Sequence, residues 1–204
     1  MKRSIAYIIG KIILVPLFKL LFFYRVNGKS NVPKDGGYIF CSNHLSNFDP
    51  VFLEICQGRQ VYFMAKEELF KNPFTNCICK MFGAFPVQRG AGDGKAINKA
   101  VEVVKQGKLL GIFIEGTRSK TGEFLRPKSG TAVIAAHANV PVIPVCITPK
   151  NKKIKLFRKV TVSIGEPIMP ETLGLSENSS AEEYRNAARS IMSEIHKLRE
   201  RDLK

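Results

Sequence analysis

From about residue 30 onward, short β-like apolar runs alternate with helical ones. That alternation limits the fold more than any other feature of the chain. Residues 37–42, 61–64, 109–114, 142–147 and 159–164 read as strands. Residues 50–57, 67–71, 75–82, 94–106, 129–138 and 181–198 read as helical. Asp49 before Pro50 is an N-cap followed by proline in the first turn. Ile97, Val101 and Val104 share one face of their helix, which Gly107 stops. Tyr184, Ala188, Ile191, Ile195 and Leu198 form one stripe. A sequence of β and α units over this length predicts an α/β fold with a mostly parallel central sheet flanked by helices. With 204 residues there is one such domain and room for an appendage.

The appendage is N-terminal. Residues 5–24 are almost wholly apolar, broken by Lys11, Pro16 and Lys19. A secretory signal would need an uncharged centre and a small-residue cleavage site, and neither is present. A spanning helix would be about 30 Å long, just a bilayer core, with two lysines inside it. Lys11 and Lys19 fall on one helix face, and Ile5, Ile8, Ile9, Ile12, Ile13, Leu17, Leu20 and Leu21 on the other. That pattern fits a helix lying in the membrane interface with its lysines at the headgroups. A span and a core helix remain the alternatives. The expected division is 1–27 as a membrane-associating helical segment and 28–204 as the α/β domain. The lysines and arginines of the segment place it on the cytoplasmic face of the membrane, peripheral or monotopic.

Charge narrows the partners. Thirty-two Lys and Arg against seventeen Asp and Glu give a formal net charge of +15, so an anionic partner is expected. Anionic lipid, nucleic acid and a phosphorylated substrate all qualify. Residues 150–159 hold Lys150, Lys152, Lys153, Lys155, Arg158 and Lys159 with no acid. They are either a solvated loop or a headgroup contact. The five cysteines, Cys41, Cys56, Cys77, Cys79 and Cys146, show no metal or redox spacing and read as small buried apolar residues. Neither a metal site nor a resident cofactor is expected.

Two loops carry the chemistry. In Asn43-His44-Leu45-Ser46-Asn47-Phe48-Asp49, His44 follows a strand directly, where an α/β sheet opens its crevice. Asp49 can fold back to one imidazole nitrogen, fix the tautomer and leave the other nitrogen as a base. Equally, Asp49 could only cap its helix. The second loop is Glu115-Gly116-Thr117-Arg118, also directly after a strand. Arg118 offers a planar fork for phosphate, and Gly116 lets the backbone approach a ligand. Glu115 could receive a hydroxyl or simply pair with Arg118.

These residues resemble the glycerolipid acyltransferase family. His44 and Asp49 stand as N-H-x-x-x-x-D, with Glu115-Gly116-Thr117-Arg118 about seventy residues on. Gly83 to Arg89 resembles the family's second block, Val140 to Val145 its proline-rich fourth, and Phe63 to Leu69 its lysine-bearing segment. Ile114 and Pro86 depart from the family pattern at scaffold positions. The resemblance implies acyl transfer to the free hydroxyl of lysophosphatidate, giving phosphatidic acid for phospholipid synthesis. Glycerol 3-phosphate or another lysophospholipid is the alternative acceptor, and acyl-CoA or acyl-carrier protein the donor. His44 would be the general base and Asp49 its orienting partner, with direct transfer and no acyl-enzyme. Lys66, Arg89 and Arg118 would hold the phosphate, with Glu115, Gly116 and Thr117 shaping its pocket. Phe63, Met81, Phe82 and Phe85 are core residues or the lining of an acyl groove. The alternatives of another class are a non-catalytic membrane-binding protein and a nucleic-acid binder. No phosphate loop or nucleic-acid module supports the second, so no nucleic-acid partner is expected.

Overall fold

The computed structural model describes residues 5–81, 83–87 and 94–204. Seven strands form one sheet: β1 (Phe23–Asn27), β2 (Tyr38–Ser42), β3 (Val61–Lys66), β4 (Phe85–Val87), β5 (Leu109–Phe113), β6 (Val142–Pro149) and β7 (Lys159–Ile164). Their order is β1-β7-β6-β2-β5-β3-β4. Every neighbouring pair is parallel except β6 with β7. The helices are α1 (Ile5–Leu21), α2 (Asp49–Ile55), α3 (Pro73–Met81), α4 (Gly94–Lys105), α5 (Gly130–Ala138) and α6 (Ala181–Leu203).

Strand alternation sorts the side chains into two layers. Ile39 and Cys41 of β2, Leu110 and Ile112 of β5, and Val142 and Cys146 of β6 face α4, α5 and α6. Phe40, Leu109, Ile143, Val145 and Ile147 face the other way, onto Phe18 of α1, Phe22 just after it, and Phe52 and Leu53 of α2. The sheet is therefore covered on both sides, as a largely parallel sheet requires. α6 enters through a complete capping box between Ser180 and Glu183. The stripe from Tyr184 to Leu198 is buried as the spacing predicts.

The N-terminal region differs from its expected form in two ways. First, residues 23–27 are not helical. They pair with β7, Phe23 opposite Lys159 and Asn27 opposite Ser163. The five residues are aromatic and β-branched enough to form a strand, but they follow an apolar helix without a break, which hides the change of period. Second, Lys11 does not point to solvent. Its Nζ lies 3.2 Å from the carbonyl oxygens of Glu54 and Gln57 and 3.3 Å from Glu54 Oε1. It closes the carbonyl end of α2, where a cation is favoured. Tyr7 also donates to Glu54, whose other oxygen accepts the Val61 amide at 2.8 Å. Burial pushes the Glu54 carboxyl up, and the Tyr7, Val61 and Lys11 contacts oppose that. Tyr7, Phe18 and Phe22 are buried, whereas Ile8, Ile9, Ile12, Ile13, Leu17 and Leu20 are exposed. Among the described residues no helix is long and apolar enough to cross a membrane.

Cys41, Cys56 and Cys146 are buried, and burial pushes each thiol up to about 12. Cys77 is exposed and Cys79 half-buried, against the expectation of burial. Both lie on α3, a helix at the molecular edge whose Phe74 and Ile78 are also exposed.

Candidate active site

The strands β2 and β5 lie side by side at the centre of the sheet and end together, Ser42 opposite Phe113. The two predicted loops leave from these ends, so the topology alone brings them together. Asn43 is the clamp of the first loop. Its side chain donates to the Ile147 carbonyl at 3.0 Å and accepts the Ile147 amide at 2.8 Å. A side-chain amide thus continues the ladder toward β6 for one more residue. Next, the His44 carbonyl accepts the Ser119 amide at 2.8 Å, which ties the first loop to the second.

The imidazole of His44 is held from two directions. Its Nδ1 is 2.7 Å from Asp49 Oδ2. Its ring lies flat on Phe113, centroids 3.9 Å apart and planes 12° from parallel. Phe113 is itself stacked on Phe63. Gly111 makes this possible, because a Cβ there would sit 2.3 Å from the Phe63 ring. Asp49 is fully buried, and its Oδ2 also accepts the amides of Leu45 at 2.6 Å and Ser46 at 2.8 Å. Asp49 is therefore not the N-cap of α2. That position is Phe48, and the Asp49 side chain turns backward into the loop. Its three contacts leave the Nε2 of His44 as the ring nitrogen not facing the carboxylate.

The second loop is held differently. Gly116 adopts φ 70°, and its amide donates to the Phe113 carbonyl at 3.0 Å. Gly116, Thr117 and Arg118 are exposed. Arg118 Nη1 donates to Asn47 Oδ1 at 2.7 Å, so the guanidinium reaches across to the first loop. Glu115 does not pair with Arg118. It is 1% exposed, and neither carboxylate oxygen has a hydrogen-bond partner. Burial, with Asp49 adding its charge, pushes this carboxyl up to about 7; the nearby His44 and Leu125 amides and Arg199 oppose the rise.

Lys66 is exposed at the end of β3, which neighbours β5, on the same sheet edge. Arg89 lies outside the described residues, as do Phe82 and the side chain of Met81. Phe63 is buried and Phe85 packs on the α4–α6 core. The site thus gathers His44, Asp49 and Arg118, places Lys66 on the same rim, and sets Glu115 beneath it. Asn43, Asn47 and Phe113 went unsingled by the sequence reading. The hydrogen-bonding side chains at both flanks of His44 were a signal for the two asparagines; nothing local marks Phe113 as a ring partner. Among the described residues no group of His, Cys, Asp and Glu could hold a metal ion.

A nucleophilic hydroxyl brought to Nε2 would find a base, an orienting carboxylate and a phosphate-binding fork within one crevice. Several known proteins are similar to this one over most of the chain. A 1-acyl-sn-glycerol-3-phosphate acyltransferase of Bacillus subtilis is 32% identical over 147 residues, 71% of this chain and 73% of that protein. The enzyme of the same name from Escherichia coli K12 is 31% identical over 149 residues, 71% of this chain and 60% of its own length. The crystal structure of the 1-acyl-sn-glycerophosphate acyltransferase from Thermotoga maritima superposes with a TM-score of 0.72 at 29% identity, covering 96% of this chain and 78% of that one. Residues 24–148, from β1 through β6 and including both loops, match the family model described as Acyltransferase, and the chain belongs to that family.

Proposed function

We propose that this protein is a 1-acyl-sn-glycerol-3-phosphate acyltransferase that forms phosphatidic acid. The observation that carries the reading is the 2.7 Å pair of His44 and Asp49, set beside Arg118 at the end of two adjacent parallel strands. The names and coverage of the relatives support it. His44 Nε2 takes the proton of the acceptor's free hydroxyl as its oxygen attacks the thioester carbonyl. Asp49 keeps Nδ1 protonated and stabilises the imidazolium. Collapse of the tetrahedral adduct expels the donor thiolate, which receives that proton. Acyl transfer results without an acyl-enzyme. The donor is acyl-CoA or acyl-carrier protein as co-substrate, and the chemistry asks for no further cofactor.

Arg118, with Lys66 and Arg89, holds the acceptor's phosphate, and Gly116 and Thr117 shape the pocket above Glu115. Two substrates must meet, so such positioning contributes as much as proton transfer. The lipid acceptor also needs a membrane surface. The exposed isoleucines and leucines of α1 lie in the interface on the cytoplasmic side, with the domain held to the helix through Lys11, Phe18 and Phe22. The test is thiol release from oleoyl-CoA or oleoyl-carrier protein with lysophosphatidate, for wild type and His44→Ala. Transfer should fall about 10²- to 10⁴-fold in the variant. Unchanged transfer would sink the mechanism, and no transfer by the wild type from either donor would sink the reading.

A further inference from the structure

The connection between β6 and β7, residues 150–158, presents an apolar tip among cations. Leu156 is 49% exposed and Phe157 58%. Lys150, Lys153, Lys155, Arg158 and Lys159 are exposed around them, and Lys152 pairs with Glu123 at 2.6 Å. A hairpin that only joined two strands would keep such side chains inside or replace them with polar ones.

The tip is also held in a costly conformation. Phe157 has φ 56° and Lys152 φ 58°, in a region that a bulky aromatic residue rarely enters. The Phe157 amide donates to the Leu21 carbonyl at the end of α1, 2.7 Å away. The turn is thereby fastened to the helix while the ring stays outside.

Sheet direction places the tip. β6 runs parallel to β2, so its end lies on the edge where His44 emerges. β7 begins there, and Phe23 of β1 pairs with its first residue, Lys159. The mouth of the site, the end of α1 with its exposed Leu17 and Leu20, the exposed Phe23 that opens β1, and the basic hairpin therefore share one edge of the molecule. Glu123, the partner of Lys152, follows Arg118 by five residues, so the hairpin also braces the second loop of the site.

We propose that residues 150–158 are a second membrane contact, one that selects bilayers carrying anionic headgroups. Leu156 and Phe157 enter the interface, and the surrounding lysines and Arg158 meet the phosphates. The aliphatic Leu156 beside Phe157 favours a lipid surface over duplex nucleic acid, whose phosphates are met by cations and polar groups. The proposal rests on the reading that the exposed face of α1 lies on a membrane, and its test separates the two.

The full chain is sedimented with vesicles of phosphatidylcholine, with and without about a third of phosphatidylglycerol. Lys153→Gln with Lys155→Gln should lower binding to the anionic vesicles about tenfold and leave binding to the neutral ones unchanged. Leu156→Ser with Phe157→Gly should lower binding to both about tenfold. Glycine suits the left-handed backbone at 157, so the fold is kept. The exposed lysine pair keeps the test independent of any effect on the fold in the tip variant. Ile9→Ser with Ile12→Ser, on α1, reports on the other contact. Hairpin variants that bind like wild type while the α1 variant is released overturn the proposal and spare the α1 reading. A wild type that binds neither vesicle overturns both the proposal and the α1 reading, and an α1 variant that binds like wild type overturns the α1 reading alone. Lysine variants that lose duplex DNA but keep anionic vesicles overturn the proposal in favour of nucleic acid.

Discussion

The two loops of the site are built on opposite terms. In the loop from His44 to Asp49 the carboxylate Oδ2 is fully occupied, by one imidazole nitrogen and two backbone amides, and only Oδ1 is without a partner. In the loop from Glu115 to Arg118 the carboxylate is equally buried, and neither oxygen accepts a well-formed hydrogen bond, the His44 and Leu125 amides being its nearest donors. One loop spends a buried charge on holding a ring in place. The other pushes the value of its buried carboxyl up to about 7 and sends its cation outward to Asn47. The difference fits the roles proposed for the two loops, a base in the first and a phosphate pocket in the second. A base must be oriented before the substrate arrives, because misplacing it by about 1 Å costs rate steeply. A phosphate pocket must exchange its resting partner for a ligand.

The comparison breaks first at Asp49. Asp49→Asn should reduce kcat by about 10³-fold, since the amide cannot stabilise the imidazolium and can present its NH2 to the ring. It should also lower stability, because a charged acceptor of two amides becomes a neutral one. A variant with wild-type kcat in a steady-state assay would remove the orienting role from the first loop.

Arg118→Ala tests the second loop. The expected effect is on KM for lysophosphatidate, raised by roughly 2–3 kcal/mol of lost charge-assisted bonding, with kcat far less changed. Its loss should leave the first loop intact, because Asn47 is exposed to water on that side. A fall in kcat at unchanged KM would mean that Arg118 acts on the reacting atoms instead.

How much of this was legible in the chain varies by region for physical reasons. The strands β2, β5 and β6 carry nearly continuous apolar runs, and β7 alternates valine and isoleucine with polar residues, so their existence follows from the local pattern. β1 and β4 did not stand out. β1 continues an apolar helix, and β4 is three residues long with a central proline, tolerable only at a sheet edge. The pairing of His44 with Asp49 was expected, but Asp49 also fits a helix cap, and only the direction of its side chain decides between the two. Lys11 and Lys19 share a face by helical periodicity, yet only Lys11 is taken up by the end of α2. Periodicity gives direction but not what lies there. The isolation of Glu115 was not legible either, since a glutamate three residues before an arginine reads as an ion pair.

That isolated carboxyl gives the smallest effect and the sharpest test of the contrast. Its value in the folded protein is pushed up to about 7, from an ordinary value of 4.5. Below pH 4.5 it is protonated whether the chain is folded or not, and it contributes no pH dependence. Between 4.5 and 7 the unfolded chain releases the proton while the folded protein retains it, so stability falls as pH rises. Above 7 both states are ionised and the full cost of the buried charge remains. Glu115→Gln removes that charge at nearly constant shape. In urea unfolding the variant should match wild type near pH 4.5 and exceed it by about 2 kcal/mol at pH 8, with the difference growing across the interval. The Asp49→Asn variant should show the opposite sign at pH 8. A Glu115→Gln protein less stable than wild type at pH 8 would mean that the ionised carboxylate has a partner in solution. The two loops would then be alike in kind.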